Sequence, residues 1–250
     1  MKSRWMNVII AVGSSVIITI ILMILHKIVS GDGVIHRLVV MLGGDLPFGL
    51  IQTSTYFIFI FAMLELWNLD RDVDFQKEAY TFNLLPEKEQ YILTPADVNQ
   101  IKLAAIDKQK YGDYLLVNMI KKTCTKYRAN KSTTEALEML TALSKINFAN
   151  TESEQSYIRY SAWAIPSIGF IGTVIGIANS LGLADKAGTP EGLAEITSAL
   201  NVAFDTTLVS LFLSIILMLY YHIVQKRVES MLSEMEAYIL ENLINRIYKE

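Results

Sequence analysis

Two long apolar stretches of the chain carry small and hydroxyl side chains at helical spacing. The first stripe consists of Pro166, Gly169, Gly172, Thr173, Gly176 and Ser180. The second stripe consists of Ala203, Thr207, Ser210 and Ser214. Residues three and four apart share one face of a helix, so each stripe predicts a helix with one small, oxygen-bearing side.

The hydroxyl groups of these stripes can supply oxygen atoms inside a lipid bilayer, where the lipid supplies none. A permeating cation or a chain of water molecules requires such oxygens. We therefore predict an ion pathway whose lining includes Thr173, Thr206, Thr207 and Ser210.

Helix packing is the alternative interpretation of the same stripes. Small residues four apart let two membrane helices approach closely, and a hydroxyl can bond the carbonyl one turn back on its own helix. We assign the packing role to Gly169, Gly172, Gly176, Ser180 and Ala203. Both interpretations are open for Thr173 and Thr207. Pro166 is interpreted as a hinge.

A single carboxylate, Asp205, lies within the second stretch. An acidic group at membrane depth is a functional candidate. At about 100° per residue, however, Asp205 is about 200° around the helix from Thr207, so the two cannot face the same pore line. We interpret Asp205 as a residue of the outer mouth or of a subunit interface, where it bonds Thr206 or Asn201, rather than as the ion carrier.

Four apolar runs predict an all-α, polytopic membrane protein with four transmembrane helices. The chain is 52% hydrophobic and only 19% charged, whereas soluble domains average about 25% charged residues. Residues 5–25, 46–64 and 160–184 contain no charged residue, and 196–225 contain only Asp205 and His222. A run of about 18 apolar residues is long enough to cross a hydrocarbon core of about 30 Å.

The same runs divide the chain into four predicted segments. They are a transmembrane hairpin at 1–67 (spans at about 5–29 and 46–67), a helical cytoplasmic module at 68–157, two pore-lining helices at 158–223 (spans at about 158–184 and 198–223) and an amphipathic cytoplasmic helical tail at 224–250. An even number of spans places both termini on one side. Lys2, Arg4, Lys226 and Arg227 flank the outermost spans, which predicts that this side is cytoplasmic.

The module and the tail are both predicted to be helical. Proline after Thr94 indicates a helix start at Pro95, and further helices are predicted at about 114–127 and from near Ser132. The apolar stripe of the tail consists of Val224, Val228, Met231, Met235 and Tyr238. We expect the fourth span to continue into this tail without a break, and the stripe to pack against the module or a neighbouring subunit.

The sequence lacks the residue patterns that several classes of function require. The sequence shows no metal-ligand spacing, phosphate-binding glycine loop or nucleophile–base pair, so we expect no enzyme and no cofactor other than a translocated ion. Cys124 is the single cysteine and cannot form an intrachain disulfide. No basic aromatic stripe appears, and we expect membrane lipid but no nucleic acid as a partner.

Two motifs within the stripes resemble those of the MotA/TolQ/ExbB ion-channel family. The first is GTVIGI at 172–177, which follows Ala164-Ile165-Pro166, and the second is ALNVAFDTTLVSL at 199–211. In that family such stretches lie on adjacent pore-lining helices, and their pore threonines match Thr173 and Thr207. The resemblance covers about 162–223, roughly a quarter of the chain.

The resemblance implies a motor subunit of the bacterial cytoplasmic (inner) membrane. Family members form rings, usually homopentamers, around two helices of a single-span partner of the MotB/TolR/ExbD kind. That partner carries an intramembrane aspartate, and a flow of H⁺ or Na⁺ turns ring and partner against each other. Four spans and the position of Pro166 resemble the flagellar-stator branch, although the fourth span lacks a later proline.

A function from a different class also fits these features. In a structural membrane scaffold the stripes pack helices, the module recruits cytoplasmic partners and no ion is conducted. A neighbouring reading frame that encodes a single-span protein with a membrane aspartate favours the motor over the scaffold.

Overall fold

The computed structural model of the chain describes residues 2–29, 33–45, 49–87 and 91–247. Its α-helices are α1 (Lys2–Ile28), α2 (Val34–Val39), α3 (Gly49–Lys77), α4 (Pro95–Lys108), α5 (Leu115–Asn130), α6 (Thr133–Gly182) and α7 (Pro190–Asn242). No β-strand occurs within the described ranges, and the predicted all-α class is confirmed. Residues 46–48 of the predicted second span and 248–250 of the predicted tail lie outside the described residues.

Among the residues that the structure describes, four helices are long and apolar enough to cross a membrane, which confirms the predicted number of spans. They are the helical regions Arg4–Ile28, Gly49–Phe82, Thr133–Gly182 and Pro190–Arg246. α6 has 50 residues and α7 has 53, so each is about 75 to 80 Å long, more than twice the hydrocarbon thickness of a bilayer. The fourth span therefore continues into the tail without a break, as predicted.

The described residues form two compact units. The span unit contains those of 1–67 and 156–222, and the module unit contains those of 68–155 and 223–250. Both α6 and α7 contribute to each unit. The exact segment boundaries stay a prediction, because α6 and α7 each pass from one predicted segment to the next without a break.

Polar pairs join α1 to α3 within the span unit. The hydroxyl oxygens of Thr19 and Thr53 lie 2.7 Å apart. Near the other end of the hairpin, Asn7 Nδ2 donates to Glu65 Oε1 over 2.7 Å, and Arg4 Nε lies 3.4 Å from Glu65 Oε2. These contacts hold the two spans side by side at two levels, because a buried polar group is costly unless it is paired.

The described part of the connection between α1 and α3 contains the short helix α2. α2 passes into a π-type turn at Val40–Gly44, and Gly43 takes a φ of 101°, which favours glycine. Tyr56 OH donates to the carbonyl of Leu42 over 2.7 Å. A six-residue helix is too short to produce a recognisable periodic pattern, so the sequence did not reveal it.

The module unit is built around α5 and the tail part of α7. Gln76 of α3 is buried, donates to the carbonyl of Asp113 over 3.1 Å and accepts from Leu115 N over 2.8 Å. It therefore satisfies an amide in the first turn of α5, where the residue that precedes the helix forms no side-chain cap. The members of the apolar tail stripe that are buried here are Val224, Val228, Met231 and Met235.

α4 begins where the sequence predicts it, at Pro95. Thr94 Oγ1 accepts from Asp97 N, and Thr94 N donates to Asp97 Oδ2 over 2.9 Å, which is a capping box. Thr94 Oγ1 also donates to Asp97 Oδ2 over 2.7 Å. This hydrogen bond first, and that from Thr94 N second, hold the pKa of Asp97 below its ordinary value.

Acidification below about pH 4 is expected to loosen the first turn of α4. A carboxylate whose pKa is lower in the folded than in the unfolded state stabilises the fold above its unfolded pKa. That contribution is lost as the pH falls through the folded pKa. Hydrogen exchange of the amides in the first turn of α4, followed as a function of pH, measures the loss. Thr94→Ala should move the midpoint to higher pH, and an unchanged midpoint would contradict the assignment.

Candidate functional site

α6 and α7 approach each other closely along a row of glycines. A Cβ atom added at Gly169 would lie 2.5 Å from Ser210 Oγ, and one at Gly176 would lie 2.7 Å from the backbone nitrogen of Ala203. A Cβ atom at Gly172 would overlap the side chain of Thr206. Only glycine therefore permits this separation of the two helices. Ser180, the last member of the first stripe, is half-buried.

Pro166 lies inside α6, which continues through it without interruption. Proline has no backbone N–H, so the carbonyl of Ala162, four residues earlier, lacks its helical donor. Ser214 Oγ of α7 lies 3.4 Å from that carbonyl and donates to it. A hydroxyl of the second stripe thus supplies the donor that Pro166 removes, and the hinge role of Pro166 stays a prediction.

Thr173 and Thr207 face each other across the α6–α7 contact. Their hydroxyl groups are hydrogen-bonded to each other. Thr173 Oγ1 also lies 3.1 Å from the carbonyl oxygen of Ala203, and Thr207 Oγ1 lies 3.1 Å from that of Gly169. Two hydroxyl and two carbonyl oxygens from two helices therefore form one group, which we call the threonine cluster.

The threonine cluster has more acceptor sites than donors. Each hydroxyl carries one proton and two lone pairs, and each carbonyl oxygen carries two lone pairs. Both threonines are partly exposed at the surface of the span unit. A cation or a water molecule that reaches this surface would find oxygen atoms there.

Thr206 and Ser210 occupy a different environment from the two facing threonines. Both are buried, each with 1% of its surface exposed. Ser210 Oγ donates to the carbonyl of Thr206 over 2.7 Å, and Thr206 Oγ1 lies 3.0 Å from the carbonyl of Val202. The structure therefore brings the four predicted pathway residues together but places only Thr173 and Thr207 where they are accessible.

Asp205 forms an ion pair that the sequence did not reveal. Its carboxylate accepts two hydrogen bonds from the guanidinium group of Arg37, over 2.5 and 2.7 Å. The side chain of Asp205 is 7% exposed and that of Arg37 is 48% exposed. Paired opposite charges of this kind are required where a carboxylate is buried in an apolar span.

One signal in the sequence could have suggested this pair. Asp205 is the only acidic residue of its apolar run, and Arg37 is a basic residue of the short connection between the first two predicted spans. An isolated charge within a membrane helix requires a partner at the same depth. The two residues are 168 positions apart, so no local pattern links them.

The exposed tryptophans predict a depth for the threonine cluster. The three tryptophans of the chain, Trp5, Trp67 and Trp163, are all exposed on the span unit. Exposed tryptophans are typical of the interface between membrane and water. Thr173 is ten residues beyond Trp163 on α6, or about 15 Å along the helix, which is about half of the hydrocarbon thickness.

The comparisons with known proteins add a family assignment. The family model described as the MotA/TolQ/ExbB proton channel family matches residues 112–237, just over half of the chain. The match extends the resemblance of the two motifs into the module and the tail. No curated protein matches the chain. Within the part of the chain that the structure describes, no three His, Cys, Asp or Glu side chains are placed to hold a metal ion.

Proposed function

The chain belongs to the MotA/TolQ/ExbB proton channel family, and on that premise we propose that it is the ring-forming subunit of an ion-driven membrane motor. In this proposal the chain conducts H⁺ or Na⁺ along α6 and α7 and couples that flow to rotation of, or force on, a partner with one membrane span. The family consists of channel proteins rather than enzymes.

The observation that carries this proposal is the threonine cluster. Four oxygen atoms from two helices lie about half-way across the predicted bilayer, on a partly exposed surface. An ion can exchange part of its hydration shell for such oxygens. We assign the ion path to Thr173 and Thr207. Thr206 and Ser210 support this path from their buried positions in the contact between α6 and α7.

A complete ion path requires a second protein in this proposal. The threonine cluster holds no carboxylate that could bind and release a proton, and Asp205 is engaged by Arg37 on the opposite side of α7. We therefore assign the ion-carrying aspartate to a single-span partner, present in two copies inside a ring of five copies of this chain. The ring is placed in the bacterial cytoplasmic membrane with both termini in the cytoplasm.

The composition of the purified complex tests the assembly. A tagged full-length chain is extracted from the membrane of its own host and its mass is measured by native mass spectrometry. We expect five copies of the 28.2 kDa chain together with two copies of a small single-span protein that carries a membrane aspartate. A monomer without such a partner would overturn the proposal.

Ion flux separates the motor from a scaffold. The purified complex is reconstituted in liposomes, and a gradient of H⁺ or of Na⁺ is imposed across the bilayer. We expect flux of one of the two ions above that of protein-free liposomes. An intact ring with its partner that conducts neither ion would favour a structural scaffold, in which the stripes serve only to pack helices.

A further inference from the structure

α7 is held on two opposite sides within the span unit. On one side, Ala203, Thr206 and Ser210 contact the glycine row of α6. On the other side, Asp205 bonds Arg37, at about 200° around the helix from Thr207. A contact on each side of a helix restricts its rotation, and contacts at fixed atoms also restrict its movement along its axis.

The contact between α6 and α7 fixes how closely the two helices approach and adds single hydrogen bonds from hydroxyl groups. A hydroxyl group can rotate to suit its acceptor, so each of these bonds restricts the orientation of α7 only loosely. The guanidinium group of Arg37, in contrast, meets both carboxylate oxygens of Asp205 in a two-pronged geometry with a narrow range of permitted orientations. The ion pair is therefore the more specific of the two restraints.

Arg37 is itself attached to a well-anchored segment. His36 Nδ1 lies 2.7 Å from the carbonyl of Val29 and donates to it, which ties α2 to the end of α1. Gln52 of α3 donates to the carbonyl of Met41 over 3.3 Å. At Gly44, an added Cβ would lie 3.0 Å from the carbonyl of Leu22, so this turn is tightly packed against α1. The position of Arg37 is thus set by α1 and α3.

The ion pair also lies beside a polar cavity of about 490 Å³. Its lining includes His26, His36, Asp45, Gln52 and Asn201, as well as both members of the pair. Nearly half of the Arg37 side chain is exposed, whereas Asp205 is buried. If Arg37 were absent, the carboxylate would lose the contact that fixes its orientation, and it would either take up a proton or turn toward water.

We propose that Arg37 is a positioning residue that sets the rotation and depth of α7 and thereby keeps the hydroxyl of Thr207 against that of Thr173. The relevance of this alignment to ion flow depends on the proposed function, but the alignment itself does not. Arg37 bonds Asp205 rather than either threonine. It acts through Asp205, which precedes Thr207 by two residues on α7.

Disulfide formation between paired cysteines measures the alignment. The full-length chain carries the paired substitutions T173C and T207C, and its native cysteine is removed by C124A. The rate at which a mild oxidant cross-links the two new cysteines is measured in membranes. With Arg37 present we expect rapid cross-linking, because the two replaced hydroxyls are in contact. R37Q should slow the reaction about tenfold, since it leaves a buried carboxylate unpaired.

Three further variants make the result specific. The swap R37D/D205R restores a two-pronged ion pair and should return the rate to within about threefold of the starting protein, whereas R37K retains the charge without that geometry and should restore the rate only in part. K27Q removes a neighbouring basic group of the same hairpin that is exposed and should leave the rate unchanged. The pair T19C/T53C, whose hydroxyls are 2.7 Å apart, reports on the packing of α1 against α3 and should not respond to R37Q.

Each other outcome counts against the proposal. If R37Q leaves the T173C/T207C pair cross-linking at the starting rate, the proposal is overturned. Loss of cross-linking in both cysteine pairs would also overturn it, because Arg37 would then maintain the whole unit rather than the alignment of α7. Cross-linking requires no ion flux, so a complex that aligns α7 through Arg37 but conducts no ion would contradict the proposed function alone.

Discussion

Replacement of both Thr173 and Thr207 by valine is expected to lower ion flux through the purified complex at least about 100-fold, which corresponds to about 2.7 kcal/mol in the barrier. Valine has nearly the shape of threonine but carries a methyl group in place of the hydroxyl. The double variant removes both hydroxyl oxygens of the threonine cluster and leaves an ion at this depth with only the two carbonyl oxygens, which also accept hydrogen bonds of their own helices. The glycine row that packs α6 against α7 is unchanged, so we expect the ring to assemble.

Flux in liposomes, with assembly measured on the same sample by native mass spectrometry, checks this prediction. Thr197→Val is the matched control, because Thr197 also lies on α7, is exposed and donates to the carbonyl of Leu193 on its own helix. The double variant T173S/T207S retains both hydroxyls and should conduct within about tenfold of the starting protein. Full flux in T173V/T207V would remove the threonine cluster from the ion path.

Gly176→Ala is expected to destabilise the α6–α7 contact by about 1–3 kcal/mol, the usual cost of an overpacked interface. The added Cβ would lie 2.7 Å from the backbone nitrogen of Ala203 and 2.9 Å from the carbonyl of Ala199. Backbone atoms cannot turn away as a flexible side chain can, so the two helices must separate. Separation here also stretches the contact between Thr173 and Thr207, which lies within one turn.

The midpoint of thermal unfolding in detergent measures this effect, and the cross-linking rate of T173C/T207C measures the separation of the helices. Gly182→Ala, on the same helix, is the control, and it is expected to raise the midpoint of unfolding rather than lower it. A Cβ at Gly182 meets nothing within 4 Å, and alanine is the better helix former by up to about 1 kcal/mol. Equal midpoints for the two alanine variants would contradict the close approach of α6 and α7 at Gly176.

The sequence alone determined the properties that depend on neighbours in the chain. Apolar runs of sufficient length identified four membrane helices, because the thickness of the bilayer sets the length of a span. The period of the helix placed the glycines and hydroxyls of each stripe on one face. Thr94 and Pro95 marked the start of α4, because a capping residue acts on amides of its own first turn.

The tertiary structure decided which of these faces meet and which side chains remain accessible. Thr206 and Thr207 are adjacent in the sequence and chemically identical, yet one is buried against Gly172 and the other meets Thr173. Periodicity gives the angle between two side chains on a helix but not the direction of the neighbouring helix. The pairing of Asp205 with Arg37 likewise depends on the packing of α2 and α7. Residues so far apart in the chain meet only through the fold, so the stripe is a property of the sequence and the threonine cluster is a property of the structure.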